Sequence, residues 1–257
     1  MLIMNSRKMI YVHLQKCGGT SVELSLEAQC CWNDILLGSS QLGEMMQWHY
    51  FNKYGLHKHS AASEILQAIG QDTWSEYYSW CTVRNPYSRI TSLYSYAAYL
   101  VYKHAADVRF PIEAPLDVQR QWAAADHYPR SEPWSFPAVK ALLLTRSHPQ
   151  PYSAYLRSAY LEGEDGCSPQ WWGVQSRDGT SMAVSEFVKL EDLPKRWPEL
   201  CERLRLAGTR LQLANATPRQ FRIGAKKFFR APEDVAFVNE RYAEDFERFG
   251  YQAGELP

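Results

Sequence analysis

Apolar and polar positions alternate unevenly along this chain, and the clearest patterns fall in three places. Met9–Leu14 is apolar, β-branched or aromatic except for His13, and it runs straight into Gln15-Lys16-Cys17-Gly18-Gly19-Thr20-Ser21. Val22, Leu24 and Leu26 then bring helical spacing, so this stretch predicts a strand, a tight glycine turn and a helix N-terminus. Tyr78–Val83 has the composition of a parallel strand buried on both faces. Arg84-Asn85-Pro86 breaks that strand, Pro86 suits the first position of a helix, and Ile90, Leu93, Tyr94 and Ala97 line its apolar face. Ala183–Leu190 predicts a further strand, followed by an amphipathic helix over Leu193–Leu206.

The remaining signals are weaker. Ser60 with Glu64, then Ile65, Leu66 and Ile69, predicts a capped helix whose entry is preceded by His57 and His59. Helices are also expected over Gln119–Ala125, Ser135–Leu144 and from Pro232 through Phe249, whereas Cys30–Met46 shows no clear period. Residues 99–135 interleave aromatics with prolines, and Gly163–Gly179 is turn-rich. The long irregular segment reads either as a binding loop or as a capping region with its own small aromatic core. No repeat or linker interrupts the chain, so residues 1–257 are expected to form a single α/β domain, with 99–180 as its variable part.

Composition narrows the function classes. With 28 basic and 28 acidic residues the formal charge is zero, which supplies no bulk attraction to nucleic acid or an anionic membrane. An anion site must therefore be built locally. The six cysteines (17, 30, 31, 81, 167, 201) have no C-x-x-C spacing, which suits a reducing compartment. No signal-peptide pattern and no 18-residue apolar run is present, so the expected location is cytoplasmic with no membrane span.

Candidate chemistry centres on the glycine turn. A helix N-terminus directs backbone N–H groups and positive dipole at whatever sits in the turn, while Lys16 adds a full charge and Thr20 and Ser21 add hydroxyls. A plain strand–turn–helix accounts for Gly18 and Gly19 alone, but not for the lysine before them and the hydroxyls after them. The loop lacks the Gly-Lys-Ser/Thr ending of a Walker A motif. Arg84, at the C-terminal end of its strand, lies where open α/β sheets bind ligands. Ser92 follows two helical turns later, and no acidic pair or metal-spaced His/Cys cluster stands out.

These residues carry a resemblance. VHLQKCGGTS is similar to the 5′-phosphosulfate loop of sulfotransferases that use 3′-phosphoadenosine 5′-phosphosulfate (PAPS), nearest to the carbohydrate-type, sulfotransferase family 2-like group, whose loop reads H-I-P-K-T/S-G-G-T/S. Gln15 stands where proline is usual, and Cys17 where a hydroxyl residue is usual. V-R-N-P-Y-S-R resembles the second PAPS motif, in which an Arg and a Ser with seven residues between them share the 3′-phosphate. Arg84 and Ser92 have that spacing. The segment 183–193 resembles the family's D-F-I-G-R-F-E-N-L, with Ser185 and Lys189 replacing Asp and Arg and with Glu191 matching an architectural Glu. Leu211–Arg222 resembles the late L-N-x-S/T loop.

The resemblance implies a three-layer, P-loop-NTPase-like fold with a central parallel sheet. It also implies PAPS as co-substrate, with 3′-phosphoadenosine 5′-phosphate as product, no metal, and a small-molecule or glycan acceptor. The nucleotide contacts it implies are Gln15, Lys16, Cys17, Gly18, Gly19, Thr20, Ser21, Arg84, Ser92 and Arg219. Lys16 would neutralise charge on the leaving phosphate. His59, with His57 as the alternative in the same H-x-H, would take the acceptor proton; His13 matches a family histidine expected to be structural. Two other readings stand beside this one: a P-loop small-molecule kinase, which normally needs the Walker ending and a strand-end Asp for Mg²⁺, and a non-catalytic nucleotide-binding module.

Overall fold

The computed structural model describes residues 1–104, 118, 136–162, 165–206, 208–214 and 216–257. They group into two compact units: Met1–Asn85 with Pro169–Ala216 and Glu247–Tyr251, and Pro86–Ser168 with Thr217–Phe246 and Gln252–Pro257. The strands are β1 (Leu2–Met4), β2 (Met9–Val12), β3 (Ile35–Leu36), β4 (Tyr78–Val83) and β5 (Glu186–Lys189). The helices are α1 (Gly19–Glu27), α2 (Gln41–Tyr54), α3 (Ala62–Ile69), α4 (Gln71–Glu76), α5 (Pro86–His104), α6 (Pro137–Thr145), α7 (Pro151–Leu156), α8 (Gln170–Val174), α9 (Leu193–Arg203), α10 (Ala225–Phe228), α11 (Pro232–Arg241) and α12 (Ala243–Phe249).

The first unit holds one five-stranded sheet in the order β3-β1-β2-β4-β5. β2, β4 and β5 are parallel, with Val12 opposite Cys81 and Val83 opposite Lys189. The expectation of a parallel sheet is correct for these three strands and is corrected at the edge, where β1 pairs antiparallel with both β2 and β3. Chain length is the reason. Only Asn5–Lys8 separates β1 from β2, and a parallel crossover needs about a dozen residues or more.

Both faces of the sheet are covered, which explains why β2 reads as an unbroken apolar run and β4 as a largely apolar and aromatic one, interrupted by Ser79 and Thr82. Met9, Tyr11, Trp80 and Val188 point to one side, packed with Val22 and Leu26 of α1 and with Leu193, Trp197 and Leu200 of α9. Ile10, Val12, Cys81 and Val83 point to the other, against Ala62 and Ile65 of α3, Trp74 of α4, and Trp171 and Val174 of α8. Two polar groups inside pair with each other: Tyr11 Oη lies 2.6 Å from Thr82 Oγ1.

Two local expectations in this unit are corrected. The strand expected over Ala183–Leu190 is confined to Glu186–Lys189, because Ala183 instead donates its N–H to the carbonyl of Val174 at 2.7 Å. Ser60 does not cap α3. Its Oγ accepts the His57 N–H at 3.0 Å, and the helix entry is held by Glu64, whose carboxylate accepts the Ala61 N–H at 2.8 Å.

In the second unit α5 buries Tyr87, Ile90, Leu93, Ala97, Leu100 and Val101. Tyr94, Tyr152, Tyr155 and Phe228 form an aromatic cluster, with Tyr94 and Tyr155 centroids 4.9 Å apart. The helix expected over Ser135–Leu144 is α6, which begins at Pro137. The helix expected over Gln119–Ala125 lies outside the described residues. The helix expected from Pro232 through Phe249 is two helices, broken at Tyr242, whose buried hydroxyl donates to the Cys167 carbonyl at 2.6 Å. Among the described residues no helix is long and apolar enough to cross a membrane.

Candidate functional site

The parallel strands β2, β4 and β5 all end at one edge of the sheet of the first unit, and the loop leaving each contributes to the same place. After β2 the chain turns through a Cys17 N–H to Leu14 carbonyl hydrogen bond of 3.3 Å. Lys16 takes a left-handed conformation there (φ 66°), as does Gly18 (φ 82°). For a lysine that conformation costs about 1–2 kcal/mol, an outlier of the kind that gathers at ligand sites. α1 starts immediately afterwards at Gly19, so the first N–H groups of the helix face the turn without helical acceptors.

Neither glycine has room for a side chain. A Cβ on Gly18 would meet Leu190, after β5, at 2.5 Å; one on Gly19 would meet the His13 ring at 2.1 Å. Gly19→Ala is therefore expected to lower the unfolding free energy by roughly 1–3 kcal/mol. Urea unfolding checks this, and an unchanged midpoint would mean that the His13 ring yields freely.

The hydroxyls and the thiol of the loop divide their work. Ser21 Oγ donates to the Ala214 carbonyl at 3.2 Å and accepts the Ala214 N–H at 3.1 Å, tying the late loop to α1. Cys17 is fully buried and its Sγ donates to Gln170 Oε1 at 3.0 Å. Gln15, Lys16 and Thr20 are half-buried at the mouth of the turn.

Arg84, directly after β4, donates from Nη1 to the Lys16 carbonyl at 3.3 Å, so the two sequence motifs meet in space. Gln170 holds the Arg84 backbone on both sides, accepting its N–H at 2.7 Å and donating to its carbonyl at 2.8 Å. Glu191, after β5, accepts the Asn85 N–H at 3.2 Å and the Tyr251 hydroxyl at 2.9 Å, as expected of an architectural residue. Ser92 on α5 and Arg219 in the short turn Arg219–Phe221 belong to the second unit, where Ser92 is half-buried and Arg219, Lys226 and Lys227 are exposed.

The histidines form a stack against this loop. His13, at the end of β2, is buried, with Nδ1 2.9 Å from Glu23 Oε1 on α1. Glu23 is fully buried and also meets the Met1 amino group at 2.5 Å and the Ser39 hydroxyl. Burial pushes its carboxyl up, but the neighbouring His13 and amino group win and hold it well below the usual carboxylate range. His13 stays below the ordinary imidazole value because burial outweighs the attraction of Glu23.

His59 packs edge-on against His13, centroids 4.7 Å apart, with its Nδ1 3.0 Å from the His13 carbonyl. A carbonyl only accepts, so Nδ1 carries the proton and Nε2 keeps its lone pair. His57 is the reverse: its Nδ1 accepts the His59 N–H at 3.2 Å, which leaves the proton of a neutral ring on Nε2. Burial, then the charge of His13, holds His59 well below the ordinary imidazole value of 6.5. The buried His13 and the half-buried His59 are thus neutral in the fold but protonate readily when unfolded. Their contribution is complete above the unfolded value near 6.5 and is lost as pH falls below it. Unfolding midpoints measured from pH 7.5 to 5 are expected to drop, and to drop less in His59→Gln; equal slopes for the two proteins would contradict this.

His57 also lines a surface recess of about 370 Å³ with Glu44, Gln47, Trp48 and Phe51, four residues of α2. Trp48 and Phe51 present exposed rings there, while Glu44 Oε1 and Gln47 Oε1 are occupied by Lys58 at 3.3 and 2.8 Å.

A family model described as the sulfotransferase family matches residues 1–252. The chain belongs to the sulfotransferase family. No curated protein and no solved structure matches it. Within a sulfotransferase, a glycine turn at the end of a parallel strand, with an arginine reaching across from the neighbouring strand, suits transfer of a charged group. Sequence reasoning missed Gln170 and Glu23. Gln170 sits in a turn-rich stretch with no motif, and Glu23 reads as an ordinary polar position of an amphipathic helix.

Proposed function

We propose that this sulfotransferase moves the sulfuryl group of PAPS to a hydroxyl, or an amine, of a glycan or small metabolite, and that residues 1–257 act as one catalytic domain with a P-loop-like phosphate cradle. The observation that carries this reading is the contact of Arg84 with the Lys16 turn at the C-terminal edge of β2 and β4, in a chain whose family model spans residues 1–252.

PAPS supplies an activated sulfuryl group, and positioning with charge stabilisation is what the protein must add. Lys16, the amides of the Gly18-Gly19 turn and the Thr20 hydroxyl neutralise charge on the departing 5′-phosphate. Gln15, Cys17 and Ser21 shape the turn. Arg84 takes the 3′-phosphate, and Ser92 and Arg219 join it by resemblance to the family.

His59 is the base: its Nε2 has the free lone pair, and its depressed basicity keeps that nitrogen unprotonated at neutral pH. His57, protonated on Nε2, is better suited to donate a hydrogen bond to the acceptor. The recess beside it, with exposed Trp48 and Phe51 rings, supports a ring-shaped acceptor. The six free cysteines suit a reducing compartment. Incubation with ³⁵S-labelled PAPS and a panel of sugars, phenols and amines tests the proposal. Label transferred to one acceptor class supports it, while transfer of phosphate from ATP with none from PAPS would overturn it.

A further inference from the structure

We infer that Gln170 is a positioning residue that sets the two phosphate-binding elements in one register; this rests on the sulfotransferase reading above. Gln170 opens α8 and is 1% exposed. The ladder between β4 and β5 is closed by Leu190 N–H to Val83 carbonyl at 2.7 Å. One residue further, Arg84 takes its partner for both backbone groups from a side chain: Gln170 Oε1 accepts its N–H at 2.7 Å and Nε2 donates to its carbonyl at 2.8 Å. The carboxamide does for Arg84 what an adjacent strand does inside the sheet, and this pairing fixes which end of the amide is oxygen.

The same Oε1 also accepts from Cys17 Sγ at 3.0 Å, one residue after the left-handed Lys16. Arg84 Nη1 then returns to the Lys16 carbonyl at 3.3 Å. Gln170, Cys17, Lys16 and Arg84 thereby form a closed circuit, in which one buried amide holds both the peptide from which the Arg84 side chain departs and the turn that presents Lys16. This also gives Cys17 a physical role. At a position where related loops carry a hydroxyl, the thiol turns inward as a donor to Gln170 rather than outward to the phosphate. Serine would keep that donor; alanine would not.

The test is calorimetric titration with 3′-phosphoadenosine 5′-phosphate, run well below each variant's melting temperature, with circular dichroism confirming the fold. Gln170→Met keeps the volume and removes the amide. It is expected to weaken binding about tenfold or more, since misplacing a binding group by a fraction of an ångström is felt at that scale. Cys17→Ala is expected to give a smaller loss and Cys17→Ser to stay within about twofold of wild type, on the scale of one hydrogen bond. Because Cys17 acts through the amide, the double variant Gln170→Met/Cys17→Ala should bind no more weakly than Gln170→Met alone.

A merely structural role would lower the melting temperature of Gln170→Met and leave the affinity of the folded protein unchanged, and that result overturns the inference. If Gln170→Met does not fold, Cys17→Ala against Cys17→Ser decides it: equal affinities overturn it and a gap between them supports it. Wild type that ignores the bisphosphate would instead bring down the sulfotransferase reading, and this inference with it.

Discussion

Lys16→Ala is expected to lower kcat/KM for sulfuryl transfer by about 10²–10³-fold while weakening nucleotide binding much less. The split follows from where the charge is. The 5′-phosphosulfate is anionic in the ground state, but further negative charge reaches the bridging oxygen only as the sulfur–oxygen bond breaks, and a cation placed there acts most on that change. Lys16 is held at the mouth of the turn by a left-handed backbone, so its alanine variant also relieves an unfavourable conformation only slightly, since alanine has the same Cβ. A protein of unchanged stability with a much reduced rate is the expected combination. Single-turnover transfer to the acceptor found by the labelled screen measures it, and equal losses in binding and rate would place Lys16 in ground-state recognition alone.

His59→Ala is expected to reduce the transfer rate by about 10²–10⁴-fold, the range for loss of a positioned proton acceptor. His57→Ala is expected to cost about tenfold, on the scale of one lost hydrogen bond in a site. The ranking comes from opposite tautomers: the His13 carbonyl obliges His59 to keep its proton on Nδ1, whereas the His59 N–H obliges His57 to leave Nδ1 bare. The acid limb of the wild-type rate is expected below pH 6.5, because burial and His13 depress the His59 imidazole. A limb at or above that value, or a larger loss in His57→Ala than in His59→Ala, would assign the base to His57.

Much of the central sheet was legible because burial on both faces leaves a simple mark. β2 and β4 are covered on each side, so Met9–Val12 reads as a continuous apolar run and Tyr78–Val83 as a mostly apolar and aromatic one, and their ends marked the two candidate loops. In the loops themselves, Lys16 beside the glycines and Arg84 at the strand end stood out from a bland turn, and the structure brings these two residues into contact. β1 and β3 left little trace, being only three and two residues long. α2 was hidden for a different reason. Leu42, Met45, Trp48, Phe51 and Tyr54 are exposed, and their three-residue spacing winds around the helix instead of marking one buried stripe.

Gln170 could not be found by any local rule, because its importance lies in reaching the backbone of residue 84 and the thiol of residue 17. The same limit applies to His59. Sequence spacing presents an H-x-H, but which nitrogen is free depends on a carbonyl 46 positions earlier in the chain.

The most direct measurement is calorimetric titration of wild type, Lys16→Ala and Arg84→Ala with 3′-phosphoadenosine 5′-phosphate, beside ATP with Mg²⁺. Wild type is expected to bind the bisphosphate, each substitution to weaken that binding about tenfold as a charged hydrogen bond is lost, and Mg²⁺-ATP to bind far less well. Preference for Mg²⁺-ATP, with indifference to the bisphosphate, would contradict this.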